Sequence, residues 1–441
     1  MKAYPKYKPS NIEWMGEIPE HWGITELKRL CLKVTDGSHF SPETQNKGLP
    51  YITVKDIKEN HIDFENCKRI SEEDYYKLKK NGCQPNRCDV LLTKDGTIGK
   101  AVVINEDKDF VILSSLGLIT PNQSKVTSEY LRYYLISGVN IDQMFSFIHG
   151  SALTRLTITL INQLLIVSPT IKEQQSITRY LKDRTKKIDA LIEKKQKLIN
   201  LLKEERTAII NQAAIKGLNP DVPMKDSGIE WLGEIPKHWE VKKLKNVVKG
   251  KLKYGANESA ELEDVFFPRY IRITDFGDDG KLRDDTFKSL PFEIANEYLL
   301  EKGDILFARS GATVGKTFQF KNYQGLACFA GYLIKASPDE NKILSDFLYL
   351  FTKSNVYENW KNSIYIQATI QNIGADKYNL LQITAPPIEE QESIVELIEC
   401  ESTKIDHTIS RIEKEITLLQ EYRTALISEV VTGKIDVREA I

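Results

Sequence analysis

Ser-Asn-Ile-Glu-Trp-Met-Gly-Glu-Ile-Pro-Glu-His-Trp (residues 10–22) returns as Ser-Gly-Ile-Glu-Trp-Leu-Gly-Glu-Ile-Pro-Lys-His-Trp (residues 227–239), an offset of 217 residues. The same offset joins two shorter motifs downstream, Glu173-Gln174 with Glu390-Gln391 and Arg206-Thr207-Ala208 with Arg423-Thr424-Ala425. Solenoid repeats usually measure roughly 20–50 residues, so a unit of this length is a whole domain with its connector. The 441-residue chain is therefore predicted to consist of two half-molecules of about equal length.

The first part of each half is predicted to be a compact α/β domain. Short β-type runs alternate with Gly, Asn, Asp and Pro, and a helix-like stretch at residues 128–136 recurs at 345–352. The two domains are only loosely alike, since Asp89–Lys100 aligns with Asp304–Lys316 after one inserted residue. Because the ends of the halves match and their middles diverge, we expect one fold with two different surfaces.

The last part of each half is predicted to be a long helix. Residues 171–216 and 388–434 contain no proline, each stretch follows a proline, and glycine appears only at Gly217 and Gly433. Proline before a helix and glycine at its end are typical helix boundaries. A helix of ~45 residues is roughly 65–70 Å long at 1.5 Å per residue.

Both long helices carry a seam with heptad spacing, four and three residues apart. In the second helix the seam is Ile405, Ile409, Ile412, Ile416, Leu419, Arg423, Leu426 and Val430. The equivalent positions of the first helix are Ile188, Ile192, Lys195, Ile199, Leu202, Arg206, Ile209 and Ala213. Neither helix can bury such a stripe alone, so the two are expected to form an antiparallel coiled coil.

The predicted domains are a globular domain at residues 1–168, a central spacer helix at 169–217, a second globular domain at 218–386 and a C-terminal spacer helix at 387–441. Two dissimilar surfaces held apart by a rigid spacer could read two short blocks of DNA sequence separated by a fixed unread gap.

The composition is that of a soluble folded protein, with 41% hydrophobic and 28% charged residues. A net charge of −1 argues against a protein that coats DNA by charge alone, but permits a DNA reader with clustered basic residues. Apolar runs are too short to span a membrane, and no secretory signal opens the sequence, so a cytoplasmic location is expected. The six cysteines form no CxxC pair, which favours free thiols over a metal site.

None of the catalytic motifs considered matches the sequence completely. Gly311–Lys316 resembles a phosphate-binding loop, but has three residues before its Gly-Lys where four are needed. No dinucleotide-binding fingerprint, His-Glu-x-x-His motif or Gly-x-Ser-x-Gly motif is present. The chain is therefore predicted not to be an enzyme, although a self-contained nuclease or methyltransferase stays open as a rival class. A purely structural tether with protein-binding domains is a second rival.

Four paired motifs together resemble the specificity subunit family of type I restriction-modification systems. They are the Ile-Glu-Trp-x-Gly-Glu-Ile-Pro-x-His-Trp segments, the Leu-x-x-x-x-Gly loops that end in Gly-Lys, the Pro-x-x-x-Glu-Gln helix starts and the Arg-Thr-Ala-x-Ile helix ends. The resemblance covers essentially the whole chain. It implies two target recognition domains and two spacer helices, arranged with pseudo-twofold symmetry.

The resemblance also implies a set of partners and cofactors. The partners are double-stranded DNA, two modification (methyltransferase) subunits and restriction subunits. The implied cofactors lie in those partners, S-adenosylmethionine in the modification subunits and ATP with Mg in the restriction subunit. The chain itself is expected to bind no cofactor and to direct the other subunits to an asymmetric two-part DNA target.

Candidate DNA-reading residues are polar or basic side chains on loops that occur in both halves, because groove edges specify sequence whereas phosphates only position the protein. The leading pair is the glycine-containing loop, where a missing Cβ permits close approach to a phosphate. The candidates are Ser38, His39, Lys55, Lys94, Gly96, Lys100, Thr154, Arg155, Arg272, Arg309, Ser310, Lys316, Gln371 and Asn372. For each of them, hairpin structure or ordinary surface is the alternative interpretation.

Three further groups are open to two interpretations. The repeated Trp14, Trp22, Trp231 and Trp239 are predicted to be structural. Arg206 and Arg423 on the seam are predicted to reach a carboxylate, with a DNA or partner contact as the alternative. The first long helix is locally basic, which is typical of a solvated face but also suits a path along phosphates; its basic residues are Lys182, Arg184, Lys186, Lys187, Lys194, Lys195 and Lys197.

Overall fold

The computed structural model describes residues 2–12, 14–148, 155–277, 280–311, 313–365 and 372–439. The chain forms two compact units, Met1–Lys195 with Glu413–Ile441, and Gln196–Ile412. Two long helices, α6 (Ile171–Asn211) and α12 (Ile388–Val431), each contribute one part to each unit.

The first unit contains a mixed α/β domain. Its strands are β1 (Tyr7–Pro9), β2 (Glu17–Pro19), β3 (Gly23–Glu26), β4 (Cys31–Asp36), β5 (Leu49–Ile52), β6 (Lys68–Ile70), β7 (Val90–Thr93), β8 (Ala101–Val103), β9 (Val111–Ile112), β10 (Leu116–Pro121) and β11 (Leu165–Ser168). Its short helices are α1 (Leu27–Leu30), α2 (Glu72–Lys80), α3 (Ser128–Leu135), α4 (Gly138–Ser146) and α5 (Ile158–Gln163). The sheets have the orders β4-β10-β7-β8, β6-β5-β9, β1-β2 and β11-β3.

The second unit repeats this plan. Its strands are β12 (Met224–Asp226), β13 (Glu234–Pro236), β14 (Glu240–Lys243), β15 (Lys253–Tyr254), β16 (Arg269–Ile271), β17 (Ile305–Ala308), β18 (Thr317–Gln319), β19 (Ala327–Phe329), β20 (Leu333–Ala336) and β21 (Gln382–Ala385). Its short helices are α7 (Leu244–Val247), α8 (Phe292–Ala295), α9 (Ser345–Phe351), α10 (Asn355–Tyr365) and α11 (Ala375–Asn379). The orders β15-β20-β17-β18, β12-β13 and β14-β21 match their counterparts in the first unit, whereas β16-β19 corresponds to β5-β9 and has no strand at the place of β6 among the described residues.

A central strand with no polar face organises each four-stranded sheet. All four residues of β7, Val-Leu-Leu-Thr, and all four of β17, Ile-Leu-Phe-Ala, are buried. Both strands lie between two antiparallel neighbours and are covered on both faces, so a continuous apolar run replaces the usual alternation. The aromatic rings of Trp22 and Trp239 are fully buried, one in the main core of each unit.

The repeated Glu-Gln motif joins the start of each long helix to its domain. The Glu173 carboxylate accepts hydrogen bonds from Thr170 Oγ1 (2.8 Å) and Trp22 Nε1 (3.1 Å), and Glu390 accepts one from Trp239 Nε1 (2.8 Å). Glu173 also accepts from Thr170 N (3.2 Å), and Glu173 N donates to Thr170 Oγ1 (3.4 Å), so this pair caps free backbone groups at the start of α6. The structural role predicted for these two tryptophans is confirmed, whereas Trp14 is exposed.

The predicted pairing of the long helices is confirmed. In the first unit Lys195 forms an ion pair with Glu415, and Arg423 Nε lies 2.8 Å from Asp189 Oδ1. In the second unit Arg206 forms an ion pair with Asp406. Residue numbers rise along one helix as they fall along the other, so the helices are antiparallel within each unit.

The seam residues of the two helices are buried or half-buried. Ile188, Ile199, Ile405, Ile409, Ile412 and Leu426 are buried, and Ile192, Leu202, Ile209, Ile416 and Leu419 are half-buried. The seam arginines Arg206 and Arg423 are mostly buried, and their guanidinium groups reach carboxylates, as expected for polar residues at such positions. Across the residues that the structure describes, no helix combines the length and the apolarity needed to cross a bilayer.

Candidate nucleic-acid interface

Three loops converge at one edge of the four-stranded sheet in the first unit. Strands β4 and β7 end at this edge, and their antiparallel neighbours β8 and β10 begin there. The backbone then joins the loops, since Lys94 N donates to Ser115 O (3.0 Å) and Leu156 N donates to Lys94 O (2.8 Å). Ser38 forms a bridge with Leu113, and Asp95 with Arg155. Candidates from three separate stretches of sequence thus lie together.

The same convergence recurs in the second unit. Arg309 N donates to Tyr332 O (3.0 Å), and Ile373 N donates to Arg309 O (2.8 Å). Ala256 forms a bridge with Ala330, and Ser310 with Asn372. Each of these contacts is the counterpart, along the repeat, of a contact in the first unit. The two units therefore present one loop scaffold.

A glycine is required where the first of these loops crosses its neighbour. A Cβ added at Gly37 would lie 2.2 Å from Ile112 O, and one added at Gly255 would lie 2.1 Å from Phe329 O. Both distances are far below van der Waals contact with backbone that cannot move aside. The repeated glycine therefore allows the close crossing that brings the loops together.

The side chains on this scaffold differ in charge between the units. In the first unit Lys94, His39 and Arg155 each lie beside a carboxylate. Lys94 Nζ lies 3.4 Å from Asp36 Oδ2, with only 4% of the lysine side chain exposed. His39 Nε2 lies 3.2 Å from the same carboxylate oxygen. Arg155 donates to both oxygens of Asp95, at 2.8 and 3.0 Å. Sequence inspection alone had no signal for the Lys94–Asp36 and Arg155–Asp95 pairings, since the partners come from different loops.

In the second unit Arg309 occupies the position equivalent to Lys94, and it packs against an aromatic ring. The guanidinium carbon of Arg309 lies 5.0 Å from the ring centroid of Tyr254, a cation–π arrangement. Tyr254 Oη accepts from Ala375 N (2.9 Å), which fixes the ring. Arg309 Nε is buried and has no hydrogen-bond partner among the residues that the structure describes. Stacking on Tyr254 thus orients the guanidinium of Arg309, and its Nε donor has no acceptor among the described residues.

Two exposed aromatic side chains flank Arg309, and sequence reasoning did not select Tyr332. Tyr332 is 62% exposed and Tyr254 is 43% exposed. Tyr332 stands where the first unit has Ser115, so a comparison of the two halves at the 217-residue offset could have found it. Aromatic rings of this kind suit stacking or groove contacts with bases.

The remaining candidates lie close to this edge or hold local structure. Lys55 is exposed on a tight turn closed by Asp56, which accepts from Thr53 N at 2.7 Å, and Val54 N donates to Ser115 Oγ (3.3 Å). Gly96 is exposed with φ +67°, and Lys100 N donates to Thr93 Oγ1 at 2.9 Å.

In the second unit Arg272 forms a two-point contact with Asp275, at 3.1 and 3.0 Å. Lys316 Nζ donates to Phe276 O (3.2 Å). Asn372 is exposed, whereas Thr154 and Gln371 lie outside the described residues. Among the described residues, no group of three or more His, Cys, Asp or Glu side chains is placed to hold a metal ion.

A family model described as the type I restriction modification DNA specificity domain matches residues 19–201 and again residues 236–418. The chain belongs to this family. Members of the specificity subunit family are the non-catalytic specificity subunits of type I restriction-modification enzymes and carry no cofactor themselves. The predicted family is therefore confirmed, and the two matched segments show the duplication that the sequence repeat predicts.

Whole-length relatives agree with the assignment to the specificity subunit family. The chain is 25% identical to a protein of Methanocaldococcus jannaschii named as the MjaX type I restriction enzyme specificity subunit, over 98% of each chain. It is 22% identical to the MjaVIII specificity subunit of the same organism, over 98% of this chain and 97% of the relative.

A solved structure shares the fold. It is described as showing the structural basis of complex assembly and conformational transition in the type I restriction-modification system. The likeness has a TM-score of 0.69 at 14% identity and covers 95% of this chain and 99% of the other. The predicted fold class, two α/β domains with two long paired helices, is confirmed by this likeness and by the duplicated family match.

Proposed function

We propose that this specificity subunit reads an asymmetric two-part DNA target, one part with each loop scaffold, and directs methyltransferase and restriction subunits to that target. The observation that carries the proposal is the duplicated convergence of loops with different side chains. Equivalent positions of the repeat carry different side chains: Lys94 corresponds to Arg309, Asp95 to Ser310 and Arg155 to Asn372. One backbone plan with two side-chain sets suits two different base sequences.

The chemistry of the two scaffolds supports two distinct half-targets. In the first unit Asp36 and Asp95 accompany the basic groups, so carboxylates that could accept from cytosine lie beside donors. In the second unit Arg309 stacks on the ring of Tyr254, and its buried Nε has no hydrogen-bond partner among the described residues. Arginine most often reads guanine through its O6 and N7 atoms.

The proposed modules follow the predicted boundaries. Residues 1–168 and 218–386 would be the two target recognition domains, and residues 169–217 and 387–441 the spacer helices. An antiparallel helix pair resists bending better than a flexible linker, so a gap of constant length between the half-targets is expected. The DNA-contact candidates from the sequence stay a prediction. We place Arg309, Ser310, Asn372, His39 and Arg155 nearest to the bases, whereas the buried Lys94 would support the loop through Asp36.

The proposed partners are double-stranded DNA, two methyltransferase subunits and the restriction subunits. S-adenosylmethionine and ATP with Mg would be bound by those subunits, and the assembled complex would act on DNA in the cytoplasm. A chain with no net basic charge gains from partners that hold the DNA backbone, because phosphate neutralisation supplies much of the affinity.

The test is a map of methylated adenines in cells that contain the partner subunits, with and without this chain. A two-part motif that appears only with the chain supports the proposal. Exchange of residues 1–168 for the equivalent domain of another specificity subunit should then change one half of the motif only. A motif that changes in both halves, or methylation that does not depend on the chain, would overturn the proposal.

A further inference from the structure

The long helices carry oppositely charged stripes at equivalent positions of the repeat. On α6 the stripe runs Lys172, Gln175, Arg179, Lys182 and Lys186, and on α12 it runs Glu389, Glu392, Glu396, Glu399 and Thr403. The spacing of three and four residues places each set along one helical face, and every member is exposed. The formal charges are +4 and −4, although the seam, the helix starts and the neighbouring domains follow one plan.

The surroundings of the two stripes differ as well. In the first unit Lys182 and Lys186 line an open cleft of about 500 Å³ that also holds Glu129, Asp189 and Glu193. The Asp189 carboxylate already faces Arg423, 2.8 Å away. The stripe itself spans 15 residues, or roughly 21 Å of helix between its first and last members, and among residues 171–187 no large apolar side chain is exposed.

The acidic stripe of the second unit has an apolar border. Glu392, Glu396 and Glu399 line an open cleft of about 630 Å³ together with Leu344 and Val395. Lys321 forms ion pairs with Glu399 (3.1 Å) and Asp346 (2.8 Å). Carboxylates beside apolar groups are repelled by phosphates and suit contact with protein.

We propose that the basic stripe of α6 lies along the phosphate backbone of the bound DNA, whereas the equivalent face of α12 stays clear of the DNA. The inference rests on the proposed function and adds to it a contact with the DNA phosphates that only one of the two long helices makes. A stripe of lysine and arginine with no exposed apolar anchor matches a row of phosphates better than a protein surface, whose core contacts are apolar and poor in lysine.

The test measures how DNA affinity depends on salt, with the specificity subunit in its complex with the partner subunits. One variant carries Arg179→Gln, Lys182→Gln and Lys186→Gln. The matched control carries Glu392→Gln and Glu396→Gln on α12. All five side chains are exposed, and a thermal melt of each variant verifies that folding is unchanged.

Each lost phosphate contact should reduce the slope of log affinity against log salt by ~0.9, so three contacts reduce it by about 2.7. The fall in affinity between 50 and 200 mM salt would then be about 40-fold smaller for the α6 variant than for the wild type. The slope of the α12 control should equal that of the wild type. The methylated motif should be unchanged in both, because phosphate contacts carry no base information.

An unchanged slope in the α6 variant would overturn the inference. Loss of partner subunits from the complex at an unchanged slope would do so as well, and would assign the stripe to a protein contact. Failure of the wild-type complex to select any DNA sequence would instead overturn the proposed function, so the two failures are distinguishable.

Discussion

Replacement of Arg309 by alanine should relax one base pair of one half-target. Arg309 stacks on Tyr254 at 5.0 Å and has a buried Nε without a partner in the described residues. Its counterpart in the first unit, Lys94, is buried and faces Asp36 at 3.4 Å. The two residues occupy the same position of the repeated scaffold, so Lys94→Met is the matched variant in the other domain.

The expected magnitudes follow from these environments. A two-point arginine contact with guanine contributes about 1–3 kcal/mol of discrimination, or roughly 5- to 150-fold in affinity at that base pair. Loss of Lys94 leaves Asp36, which is 18% exposed and retains His39. We therefore expect about 1–3 kcal/mol of lost stability, below the ~3–5 kcal/mol of a fully buried broken pair, and no change of target.

The assay is competition binding to a library in which every position of the mapped target is varied. Arg309→Ala should accept other bases at a single G·C pair in the half read by the second domain. Arg309→Lys should restore part of the preference, because an ammonium keeps the charge but not the two-point geometry. Lys94→Met should lower the unfolding midpoint and leave every base preference intact. Relaxation in both halves with Arg309→Ala, or an altered motif with Lys94→Met, would refute the reasoning.

Three further outcomes are expected. Burial, followed by repulsion from Lys316, lowers the pKa of Lys353 from 10.5 to about 8, against the weaker attraction of Glu358. In chemical denaturation, stability should therefore rise as pH increases from about 8 towards 10.5, and Lys353→Met should remove this rise. Burial raises the pKa of Glu173, but hydrogen bonds from His21, Thr170 and Trp22 outweigh it and bring that pKa below 4.5. The ionised carboxylate therefore stabilises the fold fully above pH 4.5, and this stabilisation is lost as pH falls through the folded-state pKa. Glu173→Gln should reduce the loss of stability in acid, and an unchanged fall in unfolding free energy with acid would contradict the assignment. Insertion of one heptad into both helices should lengthen the unread gap by about three base pairs, since seven residues extend a helix by ~10.5 Å, and mapping of methylated adenines would show whether both half-targets persist.

Much of the fold could be predicted because the repeat and the heptad spacing are strong, local signals. The exact ends of elements were not predictable: β5 (Leu49–Ile52) stops before Thr53, because Thr53 and Asp56 close a tight turn there. The first long helix was expected to reach Lys216, but regular α-helix ends at Asn211 and a wider turn, Gln212–Lys216, precedes Gly217 at φ +75°. Side-chain contacts of this kind shift boundaries by a few residues without changing the element.

The candidate site was only partly predictable. Glycine, lysine and arginine on repeated loops indicated which segments matter, and the structure brings three of these segments together in each unit. The partner of each charge could not be predicted, because Asp36 and Lys94 are 58 positions apart in the sequence and meet only through the register of β4, β10 and β7. Charge alone therefore ranked Lys94 beside Arg309, although their surroundings are opposite.

Comparison of the two units separates residues that hold the fold from residues that distinguish the two domains. The contacts of Trp22 and Trp239 with Glu173 and Glu390 are the same in both units, so their loss should affect stability in either half alike. At the loop edge the backbone contacts are retained while the side chains change charge, hydrogen-bonding capacity and aromatic character. A difference in target between the two domains must arise where they differ, because a shared contact cannot distinguish two half-targets. Base-reading residues should therefore be sought at positions where a constant backbone carries different side chains, and Arg309 is the position at which that contrast is greatest.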